Sequence, residues 1–133
     1  MNKKIAYLIV RIAIGLSMFG HGSVRLPKLQ AFSEGMSKNF ENSMLPEILT
    51  LPFSYILPIA EFIIGLLLIL GCFTRISAIA GSVVLLSLIF GSSLIENWNA
   101  IPTQLIHIAF FAYVIQHMES NTYAIDNVVG EKG

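Results

Sequence analysis

Charged side chains are scarce in this chain of 133 residues. Asp, Glu, Lys and Arg make up 12% of the residues, whereas 55% of the residues are hydrophobic. A soluble domain of ordinary composition carries about 25% charged residues. Positive and negative charges balance, and no basic run is present, so the electrostatic footprint of a nucleic-acid partner is missing. The composition therefore predicts a protein whose partner is membrane lipid rather than nucleic acid.

Cysteine is also nearly absent, since Cys72 is the only one. One cysteine excludes an internal disulfide, a CxxC redox pair and any metal or iron–sulfur site that needs several cysteines. We therefore predict no metal site. Any electrons that the protein handles must come from a cofactor or from another protein.

Long apolar segments are abundant by contrast. A membrane-spanning helix needs about 20 predominantly apolar residues. We predict four spans, at about residues 5–24, 52–73, 76–95 and 101–118. A helix of a soluble bundle would carry a polar stripe, and the third segment has only scattered Gly and Ser. The predicted fold is an all-α, single-domain, integral membrane bundle of four transmembrane helices.

Residues 25–51, which connect the first two spans, contain apolar side chains at helical spacing: Leu26, Leu29, Phe32, Met36 and Phe40. Charged residues lie between them. This pattern predicts an amphipathic helix in the membrane interface. Two interpretations stay open, a lid over the outer end of the bundle and a surface helix that fills space between spans.

Basic residues indicate the orientation of the bundle. Four lie on the side that carries both termini: Lys3, Lys4, Arg75 and Lys132. Three lie on the opposite side: Arg25, Lys28 and Lys38. The positive-inside rule counts these residues, so the majority favours cytoplasmic termini.

Two opposite charges lie inside the predicted spans, Arg11 in the first and Glu61 in the second. A charge at the centre of a spanning helix costs about 2.5–3.5 kcal/mol on insertion scales. Buried charges of opposite sign are expected to pair, so we predict a structural ion pair between Arg11 and Glu61. In the alternative, Arg11 reaches the inner interface, and histidine or backbone groups satisfy Glu61.

Further polar residues fall at a similar depth to Glu61. Gln104 and His107 are three residues apart and share one face of the fourth helix. His21 lies near the outer end of the first span, with Arg25 at the mouth. We predict that Glu61 and His107 handle protons as catalytic groups, and that His21, Gln104 and Arg25 bind a ligand. His21 as an interfacial residue and His107 as a structural hydrogen-bonding residue are the alternatives.

The start of the third span carries Thr74 followed by Arg75. A threonine at this position is a suitable N-cap for a helix. Arg75 then lies at a membrane boundary. We predict that the two residues anchor the inner face.

Several short motifs follow one another in a defined order: Arg11-Ile-x-x-Gly15, His21-Gly22 with Lys28, Pro58-x-x-Glu61-x-x-x-Gly65, and Leu70-Gly71-x-x-Thr74-Arg75. The ordered set resembles the DoxX family of small four-span bacterial membrane proteins. The resemblance covers the first two spans and the start of the third; the remainder, which includes His107, fits only as a hydrophobic hairpin. It implies a helical bundle in the bacterial cytoplasmic membrane. Better described members look like membrane subunits of quinone-linked oxidoreductases, and others are associated with oxidative-stress or thiol-redox partners or with cofactor assembly.

Two functions follow as hypotheses. In the first, the chain is a membrane subunit that binds a quinone in the outer half of the bundle and acts with a partner protein in a larger complex. A haem held by His21 and His107 has weaker support, because two scattered histidines form no motif. In the second, the chain is a non-enzymatic accessory, scaffold or assembly subunit of an envelope complex. The sequence leaves enzymatic activity open and is compatible with a homo-oligomer. Four short spans enclose too little volume for a transporter unless the protein forms an oligomer.

Overall fold

Helices account for most of the chain in the computed structural model, which describes residues 1–130. The elements are α1 (Asn2–Arg25), α2 (Leu29–Asn39), α3 (Glu47–Leu70), α4 (Thr74–Leu94), α5 (Ile101–Gln116) and α6 (Ile125–Val128). Single 3-10 turns occur at Leu26–Lys28 and Met118–Ser120. The all-α prediction is confirmed. Lys132, which contributed to the predicted orientation, lies outside the described residues.

Four of these helices form a bundle. α1 packs mainly against α3, and α4 packs mainly against α5, while contacts between α3 and α4 and between α1 and α5 close the ring. The short helix α2 lies against α3. We call the end of the bundle that carries α2 the α2 end, and the opposite end, where α1 begins and α6 lies, the termini end.

Length and composition identify the helices that can cross a membrane. Three helical segments are long and apolar enough: Asn2–Asn39, Glu47–Leu70 and Thr74–Leu94. Helix α5 is apolar but has 16 residues, a length of about 24 Å at 1.5 Å per residue. Large apolar side chains point outward along the bundle, among them Ile9, Leu16, Ile63, Val83, Leu86 and Ile106. The protein is thus a membrane helical bundle, and a complete crossing by α5 stays a prediction.

Helix α3 differs in its bounds from the predicted span at residues 52–73. It begins at Glu47, directly after Pro46, whose extended backbone suits an N-cap position. It ends at Leu70, because Gly71 adopts a left-handed conformation with φ +70°. Glycine has no Cβ to oppose positive φ, so it is a favourable residue for this turn.

The segment between the first two spans contains the predicted amphipathic helix. Its buried face includes Ser33, whose hydroxyl lies 2.6 Å from the hydroxyl of Ser54 on α3. Ser54 in turn donates a hydrogen bond to the carbonyl of Leu51 at 2.6 Å. The contact between the two hydroxyls attaches α2 to α3.

Glycine allows α1 and α3 to approach each other closely. A Cβ atom added to Gly22 would lie 2.5 Å from the backbone nitrogen of Phe62, whereas a Cβ added to Gly20 would meet no atom within 4 Å. Close approach through small residues is a common means of packing membrane helices. The contact at Gly22 fixes the height at which the two helices face each other.

We expect Gly22→Ala to lower the free energy of unfolding by about 1–3 kcal/mol, because the added methyl group forces the two backbones apart. Gly20→Ala is the matched control in the same helix and should leave stability unchanged or slightly higher. Thermal unfolding of the detergent-solubilised protein, followed by circular dichroism, compares the two variants. Equal unfolding midpoints would show that the backbone approach at Gly22 is not tight.

Candidate ligand site

An ion pair lies at the α2 end between Arg25, the last residue of α1, and Glu61 in α3. The Nη1 atom of Arg25 donates to both carboxylate oxygens of Glu61, at 2.8 Å and 3.0 Å. The Glu61 side chain is 4% exposed and that of Arg25 is 28% exposed. The guanidinium carbon of Arg25 also lies 4.6 Å from the centre of the Phe32 ring on α2, a cation–π geometry. Three helices therefore meet at this pair.

The predicted ion pair between Arg11 and Glu61 was wrong. Gly22 of α1 faces Phe62 of α3, so Glu61 lies near the height of Gly22. Eleven residues separate Arg11 from Gly22, which is about 16 Å along a helix. An arginine side chain cannot cover that distance, whereas Arg25 lies within one turn of the correct height.

Two histidines stand beside the ion pair. The rings of His21 and His107 are arranged edge to face with their centres 6.0 Å apart. The Ser17 hydroxyl lies 2.6 Å from Nε2 of His107. Nδ1 of each histidine lies close to the carbonyl four residues earlier, at 2.6 Å for His21 and 2.7 Å for His107.

These contacts define the hydrogen-bonding roles of the neutral rings. An Nδ1 atom that faces a carbonyl carries the proton and donates it, which leaves Nε2 as an acceptor. In His107 this acceptor receives the Ser17 hydroxyl. In His21 the same tautomer makes Nε2 an acceptor.

Gln104 contributes a third polar group from α5. Its Nε2 atom donates to the hydroxyl of Ser92 on α4 at 3.0 Å. Its Oε1 atom is buried, and within residues 1–130 it has no hydrogen-bond partner. Buried polar atoms are normally paired, so this acceptor is an exception among the described residues.

The polar groups surround a cavity of about 250 Å³ at the α2 end. All five residues of the predicted polar cluster line it: His21, Arg25, Glu61, Gln104 and His107. A second cavity of about 620 Å³ adjoins the first. Its lining includes aromatic side chains of α2, α3 and α4, among them Phe32, Phe53 and Phe90. The structure thus brings the five predicted residues together, and their roles in binding or catalysis stay predictions.

Arg11 has a different environment, at the termini end. Its guanidinium donates to the carbonyl of Leu68 at 3.0 Å, to Oδ1 of Asn121 at 2.7 Å and to the carbonyl of Tyr123 at 2.8 Å. The side chain is buried, with 2% exposure. Arg11 therefore joins α1, α3 and the chain that follows α5.

The same region caps α4. Both carboxylate oxygens of Asp126 accept backbone N–H groups, from Phe73 at 2.6 Å and from Thr74 at 3.0 Å. Nδ2 of Asn121 donates to the Thr74 hydroxyl at 3.2 Å. The predicted role of Thr74 as the N-cap was wrong, because the acceptor for the first N–H groups comes from the distant Asp126. Arg75 is exposed at this end, and its role as a membrane anchor stays a prediction.

Four residues of these two polar regions were absent from the sequence-based prediction: Ser17, Ser92, Asn121 and Asp126. Ser17 precedes His21 by one helical turn, a spacing that indicates a shared face. Ser92 is a small residue in an apolar helix, where packing is the simpler interpretation. Asn121 and Asp126 follow the last apolar segment, and no local pattern indicates that they fold back onto the bundle.

Comparison with known proteins agrees with this architecture. The DoxX family model matches residues 6–93, more than half of the chain. The matched region contains α2 and α3 and nearly all of α1 and α4, whereas Gln104 and His107 lie beyond it. No curated protein and no solved structure gives a match.

Proposed function

Because the chain belongs to the DoxX family of membrane proteins, we propose that it binds a quinone, or a similar small hydrophobic ligand, at the α2 end. The observation that carries this proposal is the pair of adjoining cavities. They share five lining residues: Phe32, Met36, Leu88, Ala100 and Gln104. A ligand with a polar ring and an apolar tail matches a small cavity that carries the five polar side chains of the predicted cluster and adjoins a larger cavity lined by several aromatic side chains.

The smaller cavity is lined by side chains of the types that quinone chemistry would use. Reduction of a quinone takes up two protons with two electrons, so proton-handling groups must lie at the depth of the ring. Glu61 and His107 are of the right chemical type for catalytic proton handling. His21, Gln104 and Arg25 would orient the ring through its oxygen atoms. Their common position around the cavity supports these roles.

The electrons are proposed to come from a partner protein. The sequence carries one cysteine and three histidines and lacks a flavin or iron–sulfur motif. The chain would therefore act as the membrane subunit of a quinone-linked redox system. The proposed location is the bacterial cytoplasmic membrane, with both termini in the cytoplasm and the α2 end facing outward.

The binding test uses ubiquinone-1, in its oxidised and its reduced form, with the purified protein in detergent micelles. We expect saturable binding of ubiquinone-1. The variant His107→Phe should weaken this binding by at least about tenfold, equivalent to 1.4 kcal/mol, because the new phenyl ring blocks the smaller cavity. His117→Phe is the matched control, since His117 directly follows α5 at its opposite end and does not line either cavity. Equilibrium dialysis measures both. Absence of saturable binding by the unaltered protein would refute the proposal, and so would equal losses in the two variants.

An accessory or scaffold function is the second candidate. The contacts of Arg11 favour this function. Among residues 1–130, its buried guanidinium bonds only to groups of α3 and of the segment after α5, and these bonds hold the fold together. Native mass spectrometry of the protein extracted from its own membrane in mild detergent separates the two functions. A bound mass that matches a quinone supports ligand binding, whereas a bound partner protein without a small ligand supports the accessory function.

A further inference from the structure

The surface of the C-terminal segment, residues 121–130, carries no exposed charge. Asp126 is the only charged residue of this segment, and it is 1% exposed because its carboxylate caps α4. The remaining exposed residues are small or neutral and polar, apart from four large side chains that are wholly or mostly apolar: Tyr123, Ile125, Val128 and Val129. Val128 is 85% exposed. Exposed apolar side chains that cluster in this way indicate a surface that contacts something other than water.

The backbone of the segment has its carbonyl groups paired where it leaves α5. Nδ2 of Asn127 donates to the carbonyls of Asn121 and Thr122, and the guanidinium of Arg11 donates to the carbonyl of Tyr123. Irregular backbone at membrane depth is tolerated where protein groups satisfy its polar atoms. The segment can therefore approach lipid without leaving these three carbonyls unpaired.

The contacts of Arg11 place the segment at the level of the membrane interface. Arg11 bonds to both Asn121 and Tyr123, and it lies seven residues beyond Lys4, which is about 10 Å along α1. Exposed basic side chains near the ends of spanning helices extend to the lipid headgroups. Ile9 is exposed close to the height of Arg11, as expected for a surface in contact with lipid. The segment thus lies on the bilayer side of Lys4.

The apolar surface of the segment adjoins exposed apolar side chains of the bundle. Asp126 accepts the backbone N–H of Phe73, and the side chains of Phe73 and Ile76 are themselves exposed. A Cβ atom added to Gly71 would lie 2.5 Å from the Cβ of Ala124, so the segment packs directly on the turn between α3 and α4. The surface is therefore continuous with the side of the bundle that faces lipid.

From this placement we infer that residues 121–130 lie in the interface of the bilayer at the termini end, with their apolar side chains at the boundary between headgroups and acyl chains. Membrane lipid is the partner of this surface, and the segment is an interfacial anchor. Tyr123 suits this position, because its ring is apolar and its hydroxyl can bond to headgroups. The inference concerns the end of the bundle opposite to the two cavities, so it does not rest on ligand binding.

Tryptophan fluorescence of the full chain in lipid nanodiscs tests this location. The reporters are Tyr123→Trp and Val128→Trp, each combined with Trp98→Phe, because Trp98 is the only tryptophan of the chain. Two exposed positions in the same background serve as references. Ile79→Trp on α4 reports contact with acyl chains, and Lys3→Trp at the start of α1 reports contact with water.

Phosphatidylcholine that is brominated in the upper part of one acyl chain quenches tryptophan on contact, whereas acrylamide quenches it from water. Brominated lipid should lower the fluorescence of both reporters by about twofold or more, because an interfacial anchor inserts its apolar side chains about 5–10 Å into the boundary region. Acrylamide should quench both reporters less than it quenches Lys3→Trp. The two reporters are independent, so one of them suffices if the other does not fold.

Two results would overturn the inference. Quenching of the reporters by brominated lipid that is no stronger than in Lys3→Trp, together with equally strong quenching by acrylamide, would show that the segment faces water. Protection of both reporters from both quenchers would show that protein, such as a second copy of the chain, covers the surface instead of lipid.

Discussion

Arg11→Met is expected to lower the free energy of unfolding by about 2–5 kcal/mol, because each buried acceptor left without a donor costs about 1–3 kcal/mol. The substitution removes the donor to oxygen atoms of Asn121 and Tyr123, and it leaves the Leu68 carbonyl with only the backbone N–H of Gly71 at 3.3 Å. Unsatisfied buried acceptors cost more than the lost hydrogen bonds themselves. Thermal unfolding in detergent measures the effect. Arg75→Met is the matched control, because Arg75 is an exposed arginine at the same end of the bundle.

A second measurement identifies the segment that Arg11→Met destabilises. The chain after α5 is held by Arg11 and by the Asp126 cap, so loss of Arg11 should release it before the bundle unfolds. A protease that cleaves after glutamate, followed by mass spectrometry, reports the accessibility of the bond after Glu119. Faster cleavage in Arg11→Met than in Arg75→Met is the expected result. Equal cleavage and equal melting would mean that Arg11 does not hold the C-terminal segment.

Arg25→Met is expected to cost about 3–5 kcal/mol, because it leaves the carboxylate of Glu61 buried without its cation. Glu61→Gln should cost less, about 1–2 kcal/mol, since the amide oxygen still accepts from a partly exposed guanidinium. The double variant should lose less than the sum of the two single losses, because the partners form one interaction. Chemical unfolding in mixed micelles gives the three values.

Lys28→Met serves as the control for this cycle. Lys28 is an exposed basic residue just beyond α1, so its removal changes the charge at this end by the same amount without removing the buried contact. Additive losses in the cycle would show that Arg25 and Glu61 do not stabilise each other. A loss in Lys28→Met as large as that in Arg25→Met would point to the charge of the α2 end rather than to the pair.

The helices could be predicted from the sequence because each is encoded locally. Apolar segments long enough to cross a lipid bilayer predict α1, α3 and α4, and the period of Phe32, Met36 and Phe40 predicts a helix in the connection. The gathering of Glu61, Gln104 and His107 could also be predicted, since α3 and α5 both run from the α2 end, and the rise per residue then gives the height of each residue.

The partners of the charges could not be predicted in the same way. Opposite charge alone assigned Glu61 to Arg11 instead of Arg25, although Arg11 lies about 16 Å along α1 from the height of Glu61. The register of α1 against α3 depends on the approach at Gly22, which is a contact between residues 40 positions apart. Asn121 and Asp126 belong to a segment without hydrophobic periodicity, so only the folded chain shows that they satisfy Arg11 and cap α4.

The contact between Arg11 and Asn121 spans 110 positions of the chain, and this sets an order of events during biosynthesis. At roughly 5–20 residues per second, the ribosome needs about 5–20 s to progress from one residue to the other. Throughout that interval the guanidinium of Arg11 lacks the acceptor groups of Asn121 and Tyr123. The bundle can therefore close at the termini end only after translation has nearly finished, and premature termination after α5 leaves a chain with all its long helices and an uncompensated charge.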